Sequence, residues 1–167
     1  MSKTGHSHIK NNLKKLNADL AGEMSGHIFF AEDYYGFDDA FFAAVKVLEI
    51  INNNDKKLSD LVDEIPRVFN TPEIRIDCDD NKKFDIISKI TEKQKRRKKK
   101  LTNIDGVRVA EKDGWWLLRA SNTQPALVLR CESLTEDGLK FQKTLVKNEL
   151  SKFNIDIFEK IISWKQK

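Results

Sequence analysis

Three short polar stretches carry side chains that could do chemistry. The first is GEMSGHIFF at 22–30, where Glu23, Ser25 and His27 alternate ahead of an apolar run. In an extended backbone those positions project to one side. An ionised carboxylate accepts two hydrogen bonds and suits a pair of neighbouring hydroxyls. A hydroxyl donates or accepts, and an imidazole that titrates near neutrality can move a proton. The same row also fits a strand end whose polar side faces water. The second stretch is RASNTQP at 119–125, set between two apolar runs. Arg119 offers forked donors, and Ser121, Asn122 and Thr123 add hydroxyls and an amide in a tight loop. Such a loop is a phosphate cradle without lysine. Ser, Asn, Thr and Pro are equally ordinary turn formers, so a plain hairpin connection fits too. The third stretch is KTGHSHIK at 3–10, with His6 and Ser7. Alone, it reads as a helix N-terminus capped by Thr4 or Ser7.

The elements that must position these residues follow from periodicity. FDDAFFAAVKVLEII at 37–51 places Phe37, Ala40, Phe41, Ala44, Val45, Leu48 and Ile51 on one helical stripe, with Asp38 and Asp39 at its N-terminus. LSDLVDEI at 58–65 predicts a short helix, and Pro66 and Pro72 bracket RVFNT as a linker. Next come a strand, EIRIDCD at 73–79, and a helix at 81–94 with Phe84, Ile87 and Ile90 on one stripe and Ile86 beside it. DGVRV and WWLLRA read as strands joined across EKDG, and ALVLRCE at 126–132 is another. Thr135 opens a helix running to about Phe153. The order β-α-β-β-β-α predicts an α+β layer: an antiparallel sheet with two helices on one face. Residues 1–65 offer about three helices and one strand at 26–31, whose neighbours the chain does not supply. The tail DIFEKIISWKQK, 156–167, has the pattern of a short amphipathic helix with Ile157, Ile161 and Trp164 on one side.

The totals narrow the function classes. At 167 residues, 40% hydrophobic and 34% charged, the chain can build a core. It has no apolar run of membrane-spanning length and no secretory signal pattern, which predicts a cytoplasmic protein with no membrane partner. Cys78 and Cys131 lack metal-ligand spacing and read as free thiols. Much of the net charge of +4 sits in KRRKKK at 95–100. A local run argues less for nucleic acid than a basic face would, and its plain reading is a solvated loop.

Taken together, KTGHSHIK, GEMSGHIFF with GFDDAFFAAVKVLEI, and DGVRV with WWLLRASNTQPALVLRCES resemble the α-D-phosphohexomutases in order and spacing. The likeness is to the bacterial phosphomannomutase/phosphoglucomutase branch and runs from Lys3 to about Leu150. It implies the C-terminal part of a multidomain enzyme that interconverts hexose 1-phosphate and hexose 6-phosphate. Residues 1–66 would be a partial third α/β domain carrying the sugar-binding loop. Residues 67–167 would be a complete fourth, phosphate-binding domain with a TATA-binding-protein-like fold. The resemblance gives Glu23 and Ser25 the hydroxyls of a glucose or mannose ring, and His6 a further substrate contact. It makes His27 the catalytic candidate, a proton acceptor beside the reacting hydroxyl. Arg119, Ser121, Asn122 and Thr123 would hold the phosphate that is not transferred.

Two parts of that family pattern are missing. SNTQP is not the Ser-His-Asn-Pro setting of the phosphoserine, and DCDD at 77–80 lacks the glycines and spacing of the aspartate metal loop. Mg2+ is implied for the complete enzyme, with its ligands absent from this chain. Without donor and metal the chain is expected not to turn over alone. Its start two residues ahead of KTGHS suggests a split or truncated gene product, with a separate chain carrying the N-terminal mutase domains as partner. Two other readings are a non-catalytic phosphosugar-binding module and, resting on KRRKKK and the fold likeness, a basic nucleic-acid-binding domain. No stacking aromatic lies within the run, which argues against the last.

Overall fold

Alternation in the second half of the chain builds one sheet. In the computed structural model, residues 1–155 and Ile157 are described, so the helix expected over 156–167 lies, Ile157 apart, outside them. The chain divides into two units, 1–66 and 67–167.

The second unit runs β3 (Phe69–Asn70), β4 (Ile74–Asp77), α4 (Asp80–Arg96), β5 (Leu101–Thr102), β6 (Val107–Glu111), β7 (Gly114–Ala120), β8 (Ala126–Ser133) and α5 (Glu136–Leu150). The sheet is antiparallel in the order β3-β8-β7-β6-β5, with β4 on the same edge of β8 as β3. One sheet face presents Ile74, Ile76, Val107, Val109, Trp116, Leu118, Leu127, Leu129 and Cys131 to α4 and α5, which answer with Ile86, Ile90, Leu139, Val146 and Leu150. Ile157 is fully buried in the same core.

RVFNT is not a linker. Phe69 and Asn70 pair with Ser133 and Glu132, and Thr71 is wholly buried. The Thr71 N–H donates to Cys131 O (2.9 Å), and its hydroxyl accepts from the Cys131 N–H (3.0 Å). Pro72 ends the two-residue strand without removing a ladder donor. The α4 stripe is also rotated from expectation. Ile86 and Ile90 face the core together with Lys83, Thr91 and Gln94, while Phe84 is 57% exposed. KRRKKK is only partly a loop, since Lys95 and Arg96 finish α4.

Thr135 caps α5, its hydroxyl accepting from the Gly138 N–H at 3.0 Å. Thr135→Ala is expected to lower stability by about 1 kcal/mol in urea titrations. A change under a few tenths would show that water replaces the cap.

The first unit comprises α1 (His6–Leu16), β1 (Leu20–Gly22), β2 (Ile28–Phe30), α2 (Ala40–Asn52) and α3 (Leu58–Asp63). The 26–31 strand does have a neighbour in this chain: β1 pairs with β2, Leu20 opposite Phe30 and Gly22 opposite Ile28. The signal was hidden because LAG is too short to show alternation. Ile9, Leu13 and Phe29 form a small core under the hairpin. That core cannot cover α2, none of whose residues is buried. The apolar stripe expected to face a core is instead open, Phe41 being 88% and Leu48 63% exposed.

Candidate functional site

The GEMSGH segment is a hairpin tip rather than an extended row. The Glu23 N–H donates to His27 O (2.9 Å), and the Gly26 N–H donates back to Glu23 O (3.0 Å). Gly26 takes φ of 91°, a backbone that other residues rarely adopt. The turn breaks the expected alternation. Glu23 and His27 stand at the two feet of the loop, and Ser25 lies exposed at its tip.

α1 then brings His6 to the feet. Its N-cap is Gly5, which has no side chain to cap with. The Gly5 N–H donates instead to Glu23 Oε1 at 2.8 Å, so a carboxylate from the hairpin occupies the positive end of the helix. The His6 ring meets the His27 ring edge-on at 4.7 Å and the Phe29 ring at 5.3 Å. His27 Nδ1 lies 2.6 Å from Asp38 Oδ2, with His6 Nε2 3.7 Å from the same oxygen. In the neutral tautomer whose Nδ1–H donates to the Asp38 carboxylate, His27 keeps Nε2 as a proton acceptor, the arrangement a general base requires. Asp38 did not stand out in the sequence, because it sits beside Asp39 at a helix start. Only Asp39 caps α2, accepting from the N–H groups of Phe41 and Phe42. The Phe42 N–H is the largest cause holding the Asp39 carboxyl below the usual range, followed by the Tyr34 hydroxyl.

In the second unit the 119–125 stretch is the β7–β8 connection. Ser121 is buried, and its hydroxyl accepts from the N–H groups of Thr123 (3.4 Å) and Gln124 (3.2 Å). It therefore shapes the loop from within, while Asn122 and Thr123 lie exposed. Arg119 stands at the loop entrance, its Nη2 3.6 Å from Glu73 Oε2. Arg75 joins it there. Its guanidinium bonds Gln124 Oε1 of the loop and reaches Glu73 with Nη2 at 3.0 Å. Arg75 and Arg119 both lie opposite Val128 in register, one on each side of β8. The two guanidinium-bearing positions thus share a face, separated by two strand spacings of about 4.8 Å each. The outward alternation of IRID signalled Arg75.

A lysine stands behind the loop. Lys83, buried on α4, donates from Nζ to Gln124 O at 2.9 Å and pairs with Asp80 at 2.5 Å. It braces the loop from behind, and the Cys78 N–H adds a bond to Pro125 O (2.9 Å). A lysine at a core position of the helix stripe was the available clue.

The thiols take no part in this chemistry. Burial pushes Cys131 up to about 12, and burial followed by Asp79 raises Cys78. Of the carboxylates in DCDD, Asp79 caps α4 through the Asn81 N–H and Asp80 holds Lys83. Committed to those partners, they do not make the open oxygen cage that Mg2+ takes.

Two family models match adjacent stretches. The one described as phosphoglucomutase/phosphomannomutase, alpha/beta/alpha domain III matches residues 1–69, and the one for the phosphoglucomutase/phosphomannomutase C-terminal domain matches 73–145. The chain belongs to the phosphoglucomutase/phosphomannomutase family. A phosphomannomutase/phosphoglucomutase of Pseudomonas syringae is 46% identical over 94% of this chain and 34% of its own length. A phosphoglucomutase of Neisseria gonorrhoeae is 42% identical over 84% of the chain and 31% of its own length. The crystal structure of a phosphoglucomutase/phosphomannomutase family protein from Burkholderia thailandensis superposes with a TM-score of 0.80 at 35% identity. That match covers 91% of this chain and 32% of the other. The chain thus spans about a third of the length of the curated relatives it matches.

Proposed function

We propose that this member of the phosphoglucomutase/phosphomannomutase family is the substrate-gripping part of a hexose-phosphate mutase. The hairpin tip reads the sugar, with Glu23 and Ser25 on ring hydroxyls and His6 beside them. His27, oriented by Asp38, accepts a proton from the reacting hydroxyl. The β7–β8 loop holds the phosphate that stays in place, with Arg119 as the charged donor, Asn122 and Thr123 as exposed polar groups and Ser121 setting the loop shape. Arg75 adds a second guanidinium on the same face. The observation that carries this reading is the braced β7–β8 loop flanked by two arginines.

Chemistry then needs domains that bear a phosphoserine and the Mg2+ loop, and residues 1–167 are inactive without them. The uncovered apolar surface of α2 supports a covering by such domains, because a solvent-facing Phe41, Val45, Leu48 and Ile51 gain nothing in water. The KRRKKK run does not favour nucleic acid, since Lys95 pairs with Glu92, Arg97 with Glu149 and Lys99 with Glu111.

Titration of glucose 6-phosphate into the chain tests the phosphate end. Arg119→Ala is expected to weaken binding about 10- to 100-fold, the loss of a charge-assisted hydrogen-bonded contact of roughly 1.5–3 kcal/mol. Neutralising Lys98, Lys99 and Lys100 together should leave that affinity unchanged. The opposite pattern would remove the phosphate assignment. Turnover of glucose 1-phosphate with Mg2+ should appear only when the missing domains are added, and its absence then would end the split-enzyme reading.

A further inference from the structure

We propose that His6, Glu23 and His27 form a binding site for a divalent transition-metal ion of the Zn2+ class, separate from any Mg2+ centre of the complete enzyme. One ligand atom from each residue can be chosen so that all three lie within 4.8 Å of one another. The donor set is two imidazoles and a carboxylate, the combination that Zn2+ accepts with a fourth position left for water or substrate. Hard ions such as Mg2+ prefer oxygen cages, so the two nitrogens select against them.

The surroundings are those of a ligand set already oriented. The Asp38 carboxylate lies 2.6 Å from Nδ1 of His27 and so leaves Nε2 as the nitrogen for an ion, the carboxylate–histidine pairing that fixes ring tautomer in metal sites. Glu23 is fixed through one oxygen by the Gly5 N–H, which leaves its second oxygen for the ion and ties it to the residue preceding His6. His6 is the adjustable member, with a side chain 47% exposed at the first position of α1. Bonds of about 2.0–2.1 Å draw ligand atoms closer than their present spacing, and rotation of the His6 ring supplies that movement.

Metal and sugar compete for the same lone pairs. A Zn2+ ion on Glu23 and His27 blocks the hydroxyl contacts and the proton-accepting nitrogen, so the ion inhibits by occupying the sugar edge. This competition rests on the function proposed above, whereas the metal site rests on geometry alone.

The experiment is a titration of the full 167-residue chain with CoCl2, read by its visible d–d absorption, followed by displacement with ZnCl2 and calorimetry of Zn2+ binding. One equivalent is expected to give the intense spectrum of a four- or five-coordinate ion. His6→Ala and Glu23→Gln should each weaken Zn2+ at least about 10-fold, and Asp38→Asn, acting through His27, about 10- to 100-fold. Glu23→Gln keeps an oxygen for the Gly5 N–H, so its far-ultraviolet circular dichroism should match the parent. His8→Ala and Cys78→Ser should leave the affinity unchanged. Absence of the spectrum, a stoichiometry lost only in the His8 or Cys78 variant, or parental affinity in His6→Ala and Glu23→Gln would each overturn the site. Zn2+ should also raise the apparent Kd for glucose 6-phosphate. If the spectrum forms but sugar phosphate binding is indifferent to Zn2+, the metal site stands and the sugar assignment of the hairpin fails.

Discussion

Gly106→Ala is expected to destabilise the second unit by at least about 3 kcal/mol, with phosphate binding weakened in the same variant. Gly106 has φ of 76°, and a Cβ there would lie 2.3 Å from Leu118 O, 2.5 Å from Arg119 Cβ and 2.6 Å from Arg119 Cα. Two of those three atoms are backbone, so no side-chain rotation relieves the clash. Either β7 moves away from the 105–107 turn or Gly106 changes conformation. Both displace the strand that carries Arg119. The cost is a large share of the ~5–15 kcal/mol that holds a domain of this kind. Urea midpoints and glucose 6-phosphate titration check it. A variant as stable as the parent would mean that the close approach does not exist in solution.

Loss of the Glu149 carboxylate is expected to be the next most costly change. Its side chain is 7% exposed and receives Lys93 at 2.5 Å, Arg97 at 3.2 Å and Lys152 at 3.4 Å. Glu149 is buried but its three partners stay 30–52% exposed, so water takes over the cations left behind and Glu149→Ala should cost about 1–3 kcal/mol, the loss of its charged hydrogen bonds. The same residue gives a pH dependence. Burial by itself raises the Glu149 carboxyl, but Lys93 and then Lys152 outweigh it and hold the group below its ordinary 4.5. The unfolded chain therefore takes up the proton first as the pH falls. The stabilisation is complete above the ordinary carboxylate value and is lost as the pH drops through the lower folded value. Denaturant midpoints measured across that acid range should fall for the parent and follow a shallower course for Glu149→Gln. Parallel curves for the two proteins would show that Glu149 is not the responsible group.

The sheet and helices of the second unit were readable because their apolar positions repeat at two or near four residues. The alternation in IRID, VRV and ALVLRC marks inward faces, and Thr135 marks a helix start. What escaped was set by partners distant in sequence. Phe69 and Asn70 form a strand only because Ser133 and Glu132 lie alongside, and three-residue β1 carries no period at all. The expected α2 stripe was a correct reading of amphipathic spacing, yet spacing cannot say whether the surface that would cover it is present in the same chain. At the candidate site, the geometry was not legible. Glu23 and His27 were expected to line up with Ser25 along an extended edge. A glycine-dependent turn instead moves Ser25 to the tip, and local hydrogen bonding of the backbone outweighs strand alternation there. The part of Ser121 in shaping the loop was hidden too, because it depends on which amides lie nearest its buried hydroxyl. The roles of Arg75, Lys83 and Asp38 depended on which strand or helix stood next to them.

The bracing of the β7–β8 connection by Lys83, Ser121 and the Cys78 N–H has a thermodynamic consequence. If the segment takes the phosphate proposed for it, it has little conformational freedom left to surrender, and the anion would be met by groups already in place. Capture by this segment should then be limited by diffusion and steering charge rather than by rearrangement of the chain. Mutations that loosen the brace should slow association while leaving the donors themselves untouched.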